Sequence, residues 1–162
     1  MRGRFISFEG GDGVGKTTQI ELLSEALAHA GQTPLVTREP GGTKLAEEIR
    51  DWVLHHASSM DAETEVLLMF AARSHHTREV IEPALDSGRW VLCDRYTDAS
   101  YAYQGGGRGV SNHVIASLEA IAARGLKPDL TLLLDLAVVA GIRRTGSRGD
   151  RDDRFESEEF AF

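Results

Sequence analysis

The sequence has little cysteine, little proline and no long hydrophobic run. Its 162 residues include one cysteine, Cys93, and four prolines. A single cysteine forms no internal disulfide, and its position in the apolar run 90–93 predicts a buried thiol in a reducing compartment. No segment approaches the length of a membrane span or has the apolar core of a signal peptide. We therefore expect a soluble, cytoplasmic protein without a membrane partner.

Basic residues are also outnumbered. The chain has 18 Lys and Arg against 25 Asp and Glu, which gives a net charge of −7. Such a surface is poorly suited to coat DNA, RNA or an anionic membrane, so no nucleic-acid partner is expected. The composition, 41% hydrophobic and 27% charged, is that of an ordinary globular protein, and no linker divides the chain. We expect one domain over residues 1–162.

Strand and helix signals alternate along the chain. Short apolar runs predict strands at 5–8, 34–37, 90–93 and 130–134. Apolar residues at helical spacing predict helices over 17–30, from about 45, over 61–85 and over 114–122. This alternation is typical of an α/β protein with a parallel sheet covered by helices on both faces. Ligands of such sheets bind beyond the carboxyl ends of the strands, where the candidate site segments lie.

The segment after the first strand matches the phosphate-loop pattern G-x-x-x-x-G-K-[ST]. Its sequence is Gly10-Gly11-Asp12-Gly13-Val14-Gly15-Lys16-Thr17, followed by Thr18. The glycines let backbone N–H groups surround an anion at the start of a helix. Lys16 is expected to reach the β- and γ-phosphates of a nucleotide, and the Thr17 hydroxyl to help hold Mg²⁺. The alternative is a glycine-rich turn, but the flanking strand and helix favour the phosphate site.

A phosphate loop alone does not separate a kinase from a GTPase or a motor ATPase. GTPases usually need Asn-Lys-x-Asp for guanine, and here the only asparagine, Asn112, precedes His113. A nucleotide kinase needs a second phosphate site and an arginine-bearing lid. Arg95, directly after a strand, suits the phosphate site; its alternative is a salt bridge to Asp98. The charged, glycine-containing segment 143–156 predicts an exposed, mobile lid, or alternatively a solvated loop without a role.

Four stretches of the chain resemble bacterial thymidylate kinases, enzymes that phosphorylate dTMP with ATP in dTTP synthesis. They are Phe8 to Thr18, Thr37 to Thr43, Asp94 to Gly109 and Lys127 to Asp135. The resemblance implies a P-loop three-layer sandwich with a mobile, arginine-rich lid, which binds ATP and dTMP, uses Mg²⁺ and forms a homodimer. It also implies that the family's last helices and strand are missing at the C-terminus. The alternatives are a kinase for another nucleoside monophosphate and a silent nucleotide-binding fragment.

The resemblance also assigns roles to individual residues of this sequence. It implies that dTMP contacts Asp12, Arg38, Arg50, Phe70, Arg73, Arg95, Ser100, Tyr103 and Gln104. Arg73 would read the thymine and Phe70 would stack on it, with Met69 as the alternative stacking residue. The metal would lie near Asp12, Thr17, Asp94 and Glu156. Catalysis would depend on Asp12, Lys16, Arg95 and a lid arginine, which is Arg148 or alternatively Arg151 or Arg154.

Two histidine pairs have no role in these assignments. His55-His56 and His75-His76 are adjacent in sequence. Two ligands on one helix face are usually spaced by four residues, so a metal-binding role for these pairs is not expected.

Overall fold

A single parallel sheet forms the centre of the molecule. The computed structural model describes residues 2–56 and 60–146. Its four strands lie in the order β2-β3-β1-β4. They are β1 (Phe5–Glu9), β2 (Leu35–Arg38), β3 (Val91–Asp94) and β4 (Leu130–Leu133). Each strand predicted from an apolar run is present close to its predicted position.

Helices connect the strands and cover the sheet. They are α1 (Lys16–His29), α2 (Lys44–His55), α3 (Ala62–His76), α4 (Glu82–Asp86), α5 (Thr97–Ser100), α6 (Asn112–Ala123) and α7 (Val138–Gly146). The predicted helix over 61–85 contains a π-helical segment, Thr77–Ile81, before Pro83, which has no N–H to continue the α-helical hydrogen bonds. None of the helices in the described ranges is long and apolar enough to cross a membrane.

Three helical segments were not predicted, and one of them includes the first residues of the predicted lid. Helix α5 has four residues, too few for a periodic pattern, and a π-helical segment, Tyr101–Gly107, follows it. Helix α7 includes Arg143 and Arg144 in its last turn. The first residues of the predicted lid, 143–146, are therefore helical, and the extent of the lid over 143–156 stays a prediction. Residues 147–156 lie outside the described residues.

The central strands β1 and β3 are buried on both faces of the sheet. Phe5 on β1 packs with Val91 and Cys93 on β3 and with Leu85 on α4. The alternate residues Ile6, Phe8 and Leu92 pack on the other face. Ile20, Leu23 and Leu27 of α1 complete that second cluster. The three-layer α/β sandwich is confirmed, and Cys93 is a buried free thiol.

The strand register decides where the ends of the strands meet. Phe8 of β1 and Arg38 of β2 both lie opposite Asp94 of β3. Glu9, the last residue of β1, lies opposite Leu133 of β4. The segments that follow the four strands therefore emerge at one edge of the sheet, as the sequence predicted.

The assignment of the second core cluster is tested by truncating Leu92. This side chain is 0% exposed between the sheet and α1, so Leu92→Ala should lower the free energy of unfolding by about 3 kcal/mol through lost burial and a cavity. Leu22→Ala, at a side chain 54% exposed on α1, should change it by less than about 0.5 kcal/mol. Urea unfolding of both variants measures the difference, and equal losses would contradict the assignment.

Candidate active site

The loop between β1 and α1 has a backbone that demands glycine. Gly10 and Gly15 have φ values of +131° and +101°. A Cβ atom on Gly10 would stand 2.3 Å from the carbonyl oxygen of Leu134, which no side chain tolerates. Lys16 turns back over this loop, and its Nζ donates to the carbonyl oxygens of Gly10 (3.1 Å) and Gly11 (2.9 Å). Burial and the nearby Arg95 lower the pKa of Lys16.

Arg95 occupies the space beside the same loop. It directly follows β3 with a φ of +68°, an uncommon conformation that often marks functional sites. Its guanidinium donates to the Gly10 carbonyl oxygen at 3.0 Å and to Asp12 Oδ1. The ion pair is therefore with Asp12, where Asp98 was the alternative from sequence. The cations of Lys16 and Arg95 thus share one acceptor, the carbonyl oxygen of Gly10.

Tyr103 completes this group from the π-helical segment. Its hydroxyl donates to Asp12 Oδ2 at 3.0 Å, and the Arg95 guanidinium carbon lies 5.1 Å from its ring centroid. Burial raises the pKa of Tyr103 to about 12, so the hydroxyl keeps its proton and acts as a donor. The structure therefore brings together Asp12, Lys16, Arg95 and Tyr103, as the sequence predicted.

The residues beside the phosphate loop fit a magnesium ion that arrives with a nucleotide. Asp94 Oδ1 is buried and has no hydrogen-bond partner among the residues that the structure describes, so an oxygen ligand is available there. Thr17 lies in the first turn of α1. Within the described ranges, no group of three His, Cys, Asp or Glu could hold a metal by itself. Mg²⁺ usually takes only one or two carboxylates together with phosphates and water. Asp94 can supply a carboxylate and Thr17 a hydroxyl, and a nucleotide would supply the phosphates.

Arg73 is the centre of a second, fully buried group on the acceptor side. Only 2% of it is exposed, and its Nε donates to Glu39 Oε2 at 2.6 Å. Its two terminal nitrogens donate to Ser100 Oγ (3.0 Å) and to the carbonyl oxygen of Tyr96 (2.9 Å). The ring of Phe70 lies 4.6 Å from the guanidinium carbon. Among the predicted base-side residues, Phe70 and Ser100 therefore both contact Arg73.

Gln104 is buried between the π-helical segment and α3. Its Nε2 donates to Glu65 Oε1 at 2.9 Å, and both side chains are 0% exposed. Its Oε1 has no partner among the described residues. Gln104 therefore holds the segment that carries Tyr103 against α3, a contact that the sequence did not indicate.

Arg38 and Arg50 flank the loop that follows β2. Arg38 Nη2 donates to Glu47 Oε2 at 2.8 Å, and Arg50 Nη1 donates to the Pro40 carbonyl oxygen at 3.2 Å. Glu47 also accepts from the Gly42 backbone N–H at 2.9 Å. Both predicted arginines thus lie at this loop, and Glu47 is an additional residue that orients Arg38. The remaining predicted site residues, Arg148 and Glu156, lie outside the described residues.

Glu9 is a buried acid that sequence reasoning did not single out. It ends β1 with 5% exposure, and its Oε1 accepts from the Tyr96 backbone N–H at 2.7 Å. Burial raises its pKa to about 7, against the opposing effect of the Tyr96 hydrogen bond. The only sequence signal was its position directly before the glycine loop.

The fold and this site define a P-loop phosphotransferase. The sequence model of the thymidylate kinase family matches residues 8–162. The thymidylate kinase of Chromohalobacter salexigens is 53% identical over 99% of this chain and 76% of its own length. That of Pseudomonas savastanoi pv. phaseolicola is 55% identical, covering 100% of this chain and 77% of its own. A crystal structure of the Ehrlichia chaffeensis enzyme superposes with a TM-score of 0.79 at 37% identity, covering 89% of this chain and 77% of that chain.

This chain belongs to the thymidylate kinase family. It is an ATP-dependent nucleoside monophosphate kinase, and its function is that of a thymidylate kinase. The chain spans about three quarters of the length of the relatives that it matches, 76% and 77% in the two given above.

The raised pKa of Glu9 predicts a pH-dependent stability. The pKa is 4.5 in the reference state and about 7 in the fold, so over this interval the folded state binds more protons. The free energy of unfolding therefore falls as the pH rises from about 4.5 to 7. Above pH 7 the ionised, buried carboxylate of Glu9 costs about 3 kcal/mol. Glu9→Gln keeps an oxygen for Tyr96 N–H without a charge, so it should raise stability relative to the parent more at pH 8 than at pH 5.

Urea unfolding at the two pH values measures this difference. Glu25→Gln, at an exposed residue of α1, serves as the control. An equal pH dependence in Glu9→Gln and the parent protein would contradict the burial argument.

Proposed function

We propose that this chain transfers the γ-phosphoryl group of Mg·ATP in line to the phosphate of dTMP, with the residues described above in the roles given below. The observation that carries the proposal is the shared carbonyl oxygen of Gly10, which accepts from Lys16 at 3.1 Å and from Arg95 at 3.0 Å. One cation belongs to the donor loop and the other follows β3. A donor and an acceptor phosphate bound to them are therefore close enough for direct transfer.

On the donor side, the loop holds the triphosphate of ATP. The backbone N–H groups of residues 10–18 surround the phosphates, and Lys16 contacts the β- and γ-oxygens. Thr17, Asp94, Asp12 and Glu156 would hold Mg²⁺, which would neutralise charge on the two terminal phosphates. Lys16 stays with the γ-phosphoryl group as its charge shifts during transfer.

On the acceptor side, Arg95 together with Arg38 and Arg50 binds the phosphate of dTMP. Its oxygens are already ionised, so the reaction needs orientation of the nucleophile and no strong general base. Asp12 holds Arg95 and Tyr103 in place and lies on the 3′-hydroxyl side of the sugar, where the Tyr103 ring disfavours a 2′-hydroxyl. Arg73 reads O4 of the thymine beside Phe70, supported by Ser100 and Gln104.

A lid arginine completes the neutralisation of charge. The variable positions 11–14 of the phosphate loop carry no basic residue, so the developing charge on the transferring group needs another cation. Arg148 is the proposed source. Helix α7, which precedes Arg148, packs directly on the phosphate loop. The two backbones lie so close that a Cβ atom on Gly13 would stand 2.4 Å from the Gly141 carbonyl oxygen. This contact supports a lid that begins beside the donor phosphates.

The proposed reaction is tested by ADP release from Mg·ATP with a panel of nucleoside monophosphates. We expect turnover to be fastest with dTMP, and Lys16→Ala to lower kcat by about a thousandfold or more, because the γ-phosphoryl loses its fixed cation. Lys44→Ala, at the start of α2, is the matched control and should keep most of the activity. Equal or faster turnover with CMP, GMP or AMP would overturn the assignment, and ATP binding without turnover would indicate a silent module.

We further propose that the chain works in the cytoplasm as a homodimer. Free, buried Cys93 suits a reducing compartment. Helices α3 and α6 pack together and expose large apolar side chains: Leu67 is 56% exposed, Val114 42% and Ile121 73%. An apolar surface of this kind supports association of two copies through these helices.

Sedimentation velocity tests the dimer. Ile121→Glu should convert the protein to monomers, because a carboxylate would be buried without a partner at the interface. Leu22→Glu, on exposed α1, should not alter the sedimentation coefficient. A parent protein that sediments as a monomer at micromolar concentration, or an unchanged dimer in Ile121→Glu, would contradict this proposal.

A further inference from the structure

The histidine pair at the end of α3 holds the loop that follows β2. His76 Nε2 lies 2.7 Å from Thr37 Oγ1, and His76 Nδ1 lies 3.0 Å from Glu39 Oε1. His75 Nδ1 lies 3.0 Å from Thr43 Oγ1. The two rings therefore contact the end of β2 at Thr37 and the loop at its first and last residues, Glu39 and Thr43. The sequence assigned no role to this pair, and the proposed reaction does not use it.

His76 acts on Glu39 from inside the protein. The ring is 0% exposed and Glu39 is 3% exposed, so water does not compete for their hydrogen bond. A carboxylate only accepts, so His76 Nδ1 carries the hydrogen and donates. In the neutral ring Nε2 then accepts from the Thr37 hydroxyl. The imidazole is thereby held at both nitrogens, and it holds the carboxylate at one oxygen.

The second oxygen of Glu39 connects this histidine to the base side of the site. Glu39 Oε2 accepts from Arg73 Nε at 2.6 Å, and the same guanidinium donates to Ser100. His76 is thus linked to Arg73 through one carboxylate. The orientation of Glu39 limits the orientation of Arg73, because the hydrogen bond at Nε restricts rotation of the guanidinium plane.

The loop backbone is shaped to this arrangement. Gly42 has a φ of +82°, and a Cβ atom there would stand 2.3 Å from His76 Nε2 and 2.7 Å from Thr37 Oγ1. The backbone therefore lies directly on the hydrogen bond between His76 and Thr37. Thr43, which His75 contacts, also accepts from the Ala46 backbone N–H at 3.1 Å and so begins α2.

We propose that His76 is a positioning residue that sets the preference for the acceptor base by orienting Arg73 through Glu39. The inference rests on the proposed role of Arg73 in reading O4 of thymine. An arginine held at its Nε presents its terminal N–H donors to the O4 carbonyl oxygen of thymine. Cytosine carries an amino group at that position, and two hydrogen-bond donors would then face each other. Without His76, Glu39 loses one of its hydrogen-bond partners, and the Arg73 guanidinium can rotate more freely. The preference for the O4 of thymine over the amino group of cytosine then falls.

The test measures kcat and KM for dTMP, dCMP and ATP with the full chain. His76→Leu fills a similar volume without hydrogen bonds, and it should lower kcat/KM for dTMP about ten- to hundredfold, mainly through KM. The ratio of kcat/KM for dTMP over dCMP should fall, and the KM for ATP should stay unchanged. His76→Asn keeps an amide donor near the Nδ1 position and should recover much of the loss. His113→Asn, on the exposed surface of α6, is the control.

Two further variants keep the proposal falsifiable if His76→Leu does not fold. Thr37→Val removes the hydroxyl at Nε2 and should shift the dTMP over dCMP ratio in the same direction by a smaller factor. Arg73→Lys removes the guanidinium, so a second change at His76 or Thr37 should then add little to the ratio.

Specific outcomes would overturn the inference. Equal losses for dTMP, dCMP and ATP would mean that His76 supports the fold only. An unchanged ratio of kcat/KM for dTMP over dCMP in Thr37→Val would show that His76 does not act through Arg73. The same conclusion would follow if a change at His76 or Thr37 had its full effect in the Arg73→Lys background. A parent protein with no preference for dTMP would overturn the proposed function first, and that failure is visible without any variant.

Discussion

The parallel pairing of β1 with β3 is the constraint on which the site depends. It sets Phe8 opposite Asp94, and the Arg95 backbone N–H donates to the Phe8 carbonyl oxygen at 2.9 Å. The glycine loop and the arginine therefore leave the sheet side by side. From these positions Lys16 and Arg95 reach the same carbonyl oxygen of Gly10. A different strand order would separate the donor cation from the acceptor cation and remove the basis for direct phosphoryl transfer.

Holding two cations so close together has an energetic cost that the loop offsets. Burial lowers the pKa of Lys16, and repulsion from the neighbouring Arg95 lowers it further. Carbonyl oxygens of the loop and the carboxylate of Asp12 compensate for it. Positive charge is thereby fixed in advance at the place where phosphates would meet, and fixed dipoles and charges need no reorganisation during a reaction.

The acceptor half is built around buried carboxylates on or beside α3. Glu39 links Arg73 to His76, and Glu65 holds Gln104 below the π-helical segment. A buried carboxylate is tolerated only with partners, so each one fixes the segments that supply those partners. The loop after β2 and the segment after α5, which contains Tyr103 and Gln104, are therefore tied to one helix.

The sequence by itself determined the strands, the phosphate loop and the family, because these signals depend on neighbours within one element or turn. Because Lys16, Arg95 and Tyr103 follow predicted strands, the sequence also predicted that they lie at the carboxyl ends of the parallel strands. It could not determine that Arg73 and Gln104 are held by Glu39 and Glu65, since those partners are distant in the chain. It missed α5 and α7, which lack a periodic apolar face long enough to detect. Only the tertiary structure decided which carboxylates are buried, because burial depends on how separate elements pack and not on any local pattern.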